Sequence, residues 1–148
     1  MISQKAKYAF RALLELAKQE DGGALLISQI AERRHIPKKF LEQILLDLKH
    51  HGLVRSKRGK NGGYALLKPP HEITFTQVMR IVDGPMAPLP CLSRTAYRRC
   101  QDCESESACD IRRVFAKAFA ASVDVLDGAT LADALGDEGD EPAQRASA

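Results

Sequence analysis

All four cysteines of this sequence fall within one stretch of nineteen residues, at Cys91, Cys100, Cys103 and Cys109. Thiolates are the soft ligands that iron–sulfur clusters and zinc ions select. Structural zinc sites typically use two short Cys-x-x-Cys pairs, whereas this segment has one. The spacing therefore favours an iron–sulfur cluster, of the 2Fe–2S or 4Fe–4S type, over zinc. Unliganded redox-active thiols or a disulfide formed on oxidation are the alternatives.

Three arginines accompany these cysteines, at positions 94, 98 and 99. Nearby positive charge stabilises a thiolate, so we expect the arginines to lower the thiol pKa values. They would also offset the negative charge of a cluster bound by thiolates. The segment as a whole, residues 85–109, is rich in proline and cysteine and is expected to be an irregular, cofactor-binding loop.

The sequence shows neither a membrane span nor a secretory signal. No apolar run approaches the roughly 20 residues that a transmembrane helix needs. The amino-terminal segment is interrupted by Lys5, Lys7 and Arg11, which is unlike a signal peptide. We therefore expect a cytoplasmic protein with reduced thiols, and the 148 residues suit one compact unit.

Charge is distributed unevenly along the chain, although its net value is only +3. Residues 33–60 contain nine lysines and arginines but only two acidic residues. Residues 118–144 contain no lysine or arginine and seven acidic residues. Concentrated cations attract phosphates and gain affinity from the release of counterions. The basic stretch is thus either a solvated helix face or a surface that binds nucleic acid.

Periodicity and breaker residues predict a mainly α-helical fold with a small β-hairpin. Ser28 is expected to cap the second helix, and Phe40, Leu41, Ile44, Leu45 and Leu48 of the third are expected to face the core. The predicted helices are 3–20, 29–34, 38–51, one from Thr74 or Thr76 through Ile81, 110–126 and 131–135, and the predicted strands are 53–56 and 64–67.

This order of elements is that of a winged helix-turn-helix, in which the helix after the turn enters the major groove of DNA. Lysine and glutamine at the start of that helix can hydrogen-bond guanine and adenine edges, and lysine can also bind phosphate. The glycine-containing hairpin tip would let cationic side chains approach a minor groove. The candidate DNA-binding residues are Ser28, Pro37, Lys38, Lys39, Phe40, Gln43, Arg55, Lys57, Arg58 and Lys60.

Two sequence segments resemble the signature of the Rrf2 family of bacterial winged-helix regulators. They are IAERRHIPKKFLEQILLDLKHHGLV and the wing motif SKRGKNGGYALLKP. The resemblance runs from about Met1 to Leu126. It implies a homodimer on a pseudo-palindromic operator in double-stranded DNA, with crossed long helices at the dimer interface. It also places Lys38, Lys39, Phe40 and Gln43 at recognition positions and Arg58 in the wing.

The same resemblance bears on the cysteines. Cys91, Cys103 and Cys109 resemble the three cluster cysteines of the family. Some members supply a fourth, non-cysteine ligand, and the matching positions here are Arg112 and Lys7. Charged arginine and lysine cannot serve as ligands, so Cys100 is expected to complete an all-cysteine site.

The expected organisation is a winged helix-turn-helix over 1–84, the cysteine segment over 85–109, a dimerisation helix with a short terminal helix over 110–135, and a disordered acidic tail over 136–148. An apolar stripe along the long helix favours dimerisation. The protein is then expected to be a transcription regulator, in particular a repressor, whose operator affinity depends on the cluster and on iron, redox state or nitric oxide.

Two other classes of protein are considered. One is a winged-helix regulator or protein-interaction module with structural zinc or redox-active thiols. A module of this kind with zinc would be colourless, and its affinity for DNA would barely respond to salt. An enzyme has little support, because the sequence contains no H-E-x-x-H, G-x-S-x-G or P-loop motif.

Overall fold

The computed structural model describes residues 2–136, which form helices and one small two-stranded antiparallel sheet. The helices and strands follow the predicted order and confirm the winged-helix arrangement. They are α1 (Gln4–Ala17), α2 (Ile27–Arg34), α3 (Lys38–His50), β1 (Val54–Lys57), β2 (Gly63–Leu66), α4 (Phe75–Val82), α5 (Asp110–Gly128) and α6 (Leu131–Gly136).

Helices α1, α4 and α5 each begin at a side chain that accepts a hydrogen bond from a free backbone N–H group. The Oγ of Ser3 accepts from the N–H of Ala6 at 2.9 Å at the start of α1. Thr74, one of the two expected caps, does the same for α4. Such caps stabilise a helix by about 1 kcal/mol each. Cys109 occupies the equivalent position in α5, so a cysteine is built into the start of the longest helix.

Two predictions about the first helices are wrong. Ser28 does not cap α2, because the helix begins earlier, at Ile27, and the side chain of Gln29 instead accepts from the N–H of Leu26 at 2.9 Å. Helix α1 ends at Ala17 rather than near residue 20, because Gln19 is extended and a short 3-10 turn follows.

Phe40 was expected to face the core, and it does not. It is 59% exposed, whereas Leu41, Ile44, Leu45 and Leu48 are fully buried. Those four positions form a complete i, i+3, i+4, i+7 stripe, which leaves Phe40 on its edge. The aromatic ring is therefore a surface feature at the start of α3.

The core lies between α1, α3 and α4, with contributions from the hairpin and α6. Phe10 of α1 stacks on Phe75 of α4 with ring centroids 4.4 Å apart. Leu131 of α6 is also fully buried in this core, although α6 follows the long α5 helix. The end of the described chain is thus packed against its beginning.

The expected acidic tail lies outside the described residues, apart from Gly136, which ends α6. No helix within residues 2–136 is both long enough and apolar enough to cross a membrane.

Candidate nucleic-acid interface and cysteine segment

The amino-terminal turns of α3 present several of the predicted DNA-binding side chains to solvent. Pro37 is the residue before the helix, and Lys38, Lys39, Phe40 and Gln43 are all exposed. The ring of Phe40 meets that of Tyr8 edge-on, with centroids 6.4 Å apart. This aromatic contact is typical of a stabilising pair, so it holds Phe40 beside the lysines despite its exposure.

Gln43 is connected to α1 through a carboxylate. Its Nε2 donates to Oδ1 of Asp47 at 3.0 Å, and Nζ of Lys5 donates to Oδ2 of the same carboxylate at 2.8 Å. The Lys5 hydrogen bond is the largest of the effects that lower the pKa of Asp47 below its usual value. Asp47 is therefore ionised near neutral pH and accepts hydrogen bonds from two helices.

The hairpin carries its cations on an exposed strand and tip. Arg55 and Lys57 lie on β1, opposite Ala65 and Gly63 of β2, and Arg58 and Lys60 lie in the connecting loop. All four cations are exposed. The loop is closed by the N–H of Gly62, which donates to the carbonyl of Gly59 at 2.9 Å.

A third backbone segment holds the hairpin against the helix-turn-helix. Leu25, just before α2, forms an isolated antiparallel bridge with Tyr64 of β2. Ser28, the remaining predicted DNA-binding residue, is exposed in the first turn of α2, close in sequence to this bridge. The bridge sets the wing relative to α2 and hence relative to α3.

Not every cation of the basic stretch is available to a ligand. Arg33 and Arg34 form ion pairs with Glu15 of α1 at 3.1 and 2.7 Å. Burial alone would raise the pKa of Glu15, but the hydrogen bonds and charges of the two arginines lower it below its usual value. Within residues 2–136, no hydrogen bond or ion pair engages the side chains of Lys38, Lys39, Arg55, Lys57, Arg58 or Lys60.

The cysteines lie between α4 and α5. Cys91 is buried in a short 3-10 turn over Pro90–Leu92, and Cys100, Cys103 and Cys109 are half-buried. The N–H of Cys103 donates to the carbonyl of Cys100 at 3.3 Å. The Sγ of Cys109 accepts from the N–H of Arg112 at 3.4 Å, as the cap of α5.

The sequence predicts that nearby arginines lower the pKa values of the cysteine thiols, and for Cys100 this prediction is wrong. The pKa of Cys100 is raised, first by burial and then by its interactions with Cys91 and Cys103. The guanidinium of Arg99 is directed elsewhere, since it donates to the carbonyls of Cys103 and Glu104. Proximity of arginine in sequence therefore does not lower this pKa.

The four cysteines are suitable ligands for a soft metal, although their thiols do not form a metal site in this structure. Four sulfur donors lie in one segment, and thiolate sulfur is the ligand that iron–sulfur clusters and zinc select. No three Cys, His, Asp or Glu side chains in the described part of the chain are close enough together to hold a metal ion. The thiols would have to approach one another to bind one.

Helix α5 has one face against its own chain and one apolar face in solvent. Ile111, Val114, Phe115 and Val125 are 62, 63, 45 and 70% exposed. Phe119 and Val123, which are partly buried, line a cavity of about 260 Å³ together with Met86, Leu92 and other residues. The helix is thus loosely packed against the segment that contains Cys91.

The other end of α5 is fixed to the core. The N–H of Phe75 donates to the carbonyl of Ala129 at 2.9 Å, and the N–H of Leu131 donates to the carbonyl of Ile73 at 3.0 Å. With Leu131 buried, α5 is anchored at its carboxyl end, while Cys109 and the cysteine segment form its amino end.

The roles of Asp47, Lys5 and Leu131 were not identified from the sequence. The spacing of Gln43 and Asp47, one helical turn, could have indicated their pairing. The contribution of Lys5 and the burial of Leu131 depend on tertiary contacts, for which the sequence contains no local signal.

Comparison with known proteins agrees with the geometry. Residues 2–137 match the family model described as "Rrf2: Iron-dependent Transcriptional regulator". An rrf2-like helix-turn-helix transcriptional regulator of Rhodobacter capsulatus is 52% identical over 138 residues, covering 91% of this chain and 92% of that protein.

Solved structures show the same fold. CymR, the global cysteine regulator of Bacillus subtilis, superposes with a TM-score of 0.76 at 31% identity, covering 95% of this chain and 98% of that one. IscR of T. potens gives a TM-score of 0.71 at 30% identity, covering 100% of this chain and 93% of that one. Members of the matched family are transcriptional regulators, which confirms the expectation that the protein is not an enzyme. The chain therefore belongs to the Rrf2 family of DNA-binding transcription regulators.

Proposed function

We propose that the protein is a cytoplasmic, homodimeric repressor whose affinity for a pseudo-palindromic operator is set by an iron–sulfur cluster on Cys91, Cys100, Cys103 and Cys109. The observation that carries this proposal is the pairing of two features in one chain. An exposed, cationic helix-turn-helix and wing are followed by a segment that contains every cysteine, and this segment lies between α4 and the long helix α5.

The contacts with DNA follow from exposure and charge. Lys38 and Lys39 are at the start of α3, where a recognition helix meets base edges and phosphates. Gln43 is the side chain suited to adenine, and Phe40 offers an apolar surface to a thymine methyl group. Pro37 and Ser28 lie near the phosphate backbone in this docking. Arg55, Lys57, Arg58 and Lys60 extend the cationic surface along the wing, with Arg58 at the minor groove.

The exposed face of α5 supports the dimer. Large apolar side chains aligned along a helix and left in solvent usually mark an interface between proteins. A second copy of α5, crossed over the first, would bury these side chains and place two recognition helices on one side of the dimer. Half-sites lie about 34 Å apart on the duplex, so the geometry of this interface governs operator affinity.

The cluster would be held by the four cysteines and would supply a redox-active, iron-dependent group that responds to iron, oxidants or nitric oxide. The family description as iron-dependent regulators supports this assignment. An all-cysteine site is favoured because Cys100 is the fourth thiol of the segment, whereas Arg112 and Lys7 stand where some family members have a fourth ligand.

The chain itself connects the cysteine segment to the DNA-binding surface. Cys109 caps α5, so a displacement of this residue moves the amino end of the helix. The carboxyl end is anchored by Ala129 and Leu131, and the cavity beside Phe119 leaves room for the helix to repack. The helix would therefore tilt about its anchored end and change the spacing of the recognition helices. Repression is the simpler outcome, because a bound dimer can block a promoter without contacting polymerase.

Anaerobic purification followed by duplex-binding measurements tests the proposal. We expect a brown protein that contains iron and sulfide, and an operator, selected from a random duplex library, whose affinity changes at least about tenfold when the cluster is removed. Phosphate-mediated binding should also weaken by orders of magnitude from 50 to 200 mM salt. A colourless protein with one tightly bound zinc would contradict the cluster, and binding insensitive to salt would contradict the DNA interface.

A further inference from the structure

The carboxylate of Asp47 connects two helices at the proposed DNA surface. Its Oδ2 accepts from Nζ of Lys5 in α1 at 2.8 Å, and its Oδ1 accepts from Nε2 of Gln43 in α3 at 3.0 Å. The side chains of Lys5 and Asp47 are 36 and 25% exposed, so both are partly shielded from water. The pKa of Asp47 is lowered, mainly by Lys5, which keeps the group an acceptor.

An ionised carboxylate fixes the orientation of the Gln43 amide. A glutamine side chain can rotate by half a turn and exchange its oxygen for its nitrogen, whereas a carboxylate only accepts hydrogen bonds. Asp47 therefore selects the orientation in which Nε2 faces it. One N–H of the amide is used in this bond, and the second N–H and Oε1 remain available.

A carboxamide with one free donor and one free acceptor is the group that pairs with adenine. Its oxygen accepts from the adenine N6 amino group while its N–H donates to N7. A glutamine that is free to rotate would lose side-chain conformational entropy when it adopts this orientation on binding. It would also accept other bases. Lys5 has a second effect, because it offsets a negative charge that would otherwise face the phosphates.

We propose that Asp47 and Lys5 are positioning residues for Gln43, and that they preset its amide to recognise one adenine in each half-site. The inference rests on the proposed function, since it requires that α3 enter the major groove. It goes beyond that function because it assigns the base preference at one position to the hydrogen bonds that join Lys5 of α1, Asp47 and Gln43.

The test compares variants on duplexes chosen by selection with the unaltered protein. The position at which Gln43→Ala no longer prefers one base pair over the others is the position that Gln43 recognises. We expect the unaltered protein to prefer A·T over G·C there by about tenfold or more, the usual size of a bidentate contact. Asp47→Asn lets the neighbouring amide rotate, and the preference should fall to about threefold or less, while binding to non-specific DNA is kept or strengthened.

Three further variants separate positioning from simple stabilisation. Lys5→Met should reduce the preference partially, and Lys5→Arg, which can still donate to Asp47, should retain it. Glu20→Gln removes the same charge from an exposed turn before α2 and should leave the preference unchanged. Thermal unfolding of each variant is measured in parallel, since a merely structural i, i+4 pair would change stability without changing base preference.

The outcomes are distinct. The inference is overturned if Asp47→Asn and Lys5→Met keep the preference that Gln43→Ala loses, or if Gln43→Ala alters the preference nowhere. If the unaltered protein selects no duplex sequence at all, the proposed function fails instead.

Discussion

Leu25 and Tyr64 exchange two backbone hydrogen bonds, with the N–H of Leu25 2.9 Å from the carbonyl of Tyr64 and the reverse bond 2.7 Å long. This bridge joins the segment before α2 to the second strand of the wing. It makes the helix-turn-helix and the hairpin one unit, so that α3 and the cationic tip can approach a duplex together.

Gly63, the neighbour of Tyr64, is required by this bridge. Its φ is +130°, and a Cβ atom there would lie 2.2 Å from the carbonyl oxygen of Leu25. Gly63→Ala should therefore separate the wing from α2 and lower the free energy of unfolding by about 2–4 kcal/mol, from strain and overpacking together. Chemical denaturation and hydrogen exchange at the Leu25 and Tyr64 amides measure the two effects.

Gly59→Ala is the matched control. It lies in the tip at φ +107°, but a Cβ there meets nothing within 4 Å. It should cost only the backbone strain, about 1–2 kcal/mol, and leave the two amides protected. Equal losses in both variants would show that the contact with Leu25 is unimportant.

Glu15 should make stability depend on acidic pH. Its pKa is lowered in the folded protein from the usual 4.5, so its contribution is complete above pH 4.5 and is lost as the pH falls through the lower folded value. Glu15→Gln should lower the free energy of unfolding by about 1–2 kcal/mol near neutral pH, because Arg33 and Arg34 are partly solvated.

Urea unfolding over the range from pH 7 to pH 3 measures this dependence. The unaltered protein should lose stability more steeply below pH 4.5 than Glu15→Gln does, and the two curves should converge at the acidic end. Glu20→Gln, an exposed carboxylate, serves as the control. Parallel curves for all three proteins would contradict the assignment.

Local chemistry was sufficient to predict most of the fold. The apolar stripe of α3, apart from Phe40, and the hairpin are short-range patterns that the sequence predicts, although each strand is shifted by one residue. The start of α2 was placed too late because a serine suggested a cap, whereas the side chain of Gln29 and the bridge from Leu25 to Tyr64 determine where the chain turns into the helix.

Long-range relationships could not be predicted from the sequence. Glu15 forms ion pairs with Arg33 and Arg34, so two cations of the basic stretch 33–60 are already engaged by a residue distant in sequence. The raised pKa of Cys100 depends on burial and on neighbouring thiols rather than on adjacent arginines. Which of the exposed residues contact DNA, and whether the cysteines bind a cluster, stay predictions.

The wing should contribute directly to the salt dependence of DNA binding. Arg58 is exposed and has no ion-pair partner within residues 2–136, so it is available to phosphates. Arg58→Gln removes one cation per protomer and two per dimer. The slope of log K against log salt, which is negative, should therefore become less steep by about two. Lys117→Gln removes the same charge from α5 and should leave the slope unchanged. Equal slopes for the three proteins would exclude the wing from the interface.

Cys100 should be required for a stable cluster. If four thiolates hold it, Cys100→Ser replaces a soft donor with a hard one, and iron and sulfide per protomer should fall well below the unaltered level after anaerobic purification. Ser93→Ala is the control, since it alters a residue of the same segment without removing a thiol. Full cluster content in Cys100→Ser would leave three cysteines and require another fourth ligand.

The exposed face of α5 should hold the dimer together. Val125 is 70% exposed in one protomer, so an aspartate there disturbs no packing within the chain. In a dimer, the same change would bury a charge in an apolar interface, and Val125→Asp should weaken association by at least about tenfold without lowering the free energy of unfolding of the protomer. Sedimentation over a range of concentrations measures the association, and Lys117→Asp, on an exposed position outside the apolar stripe, is the control. A Val125→Asp protein that remained dimeric would place the interface elsewhere, and the tilt of α5 would then no longer account for a change in the spacing of the recognition helices.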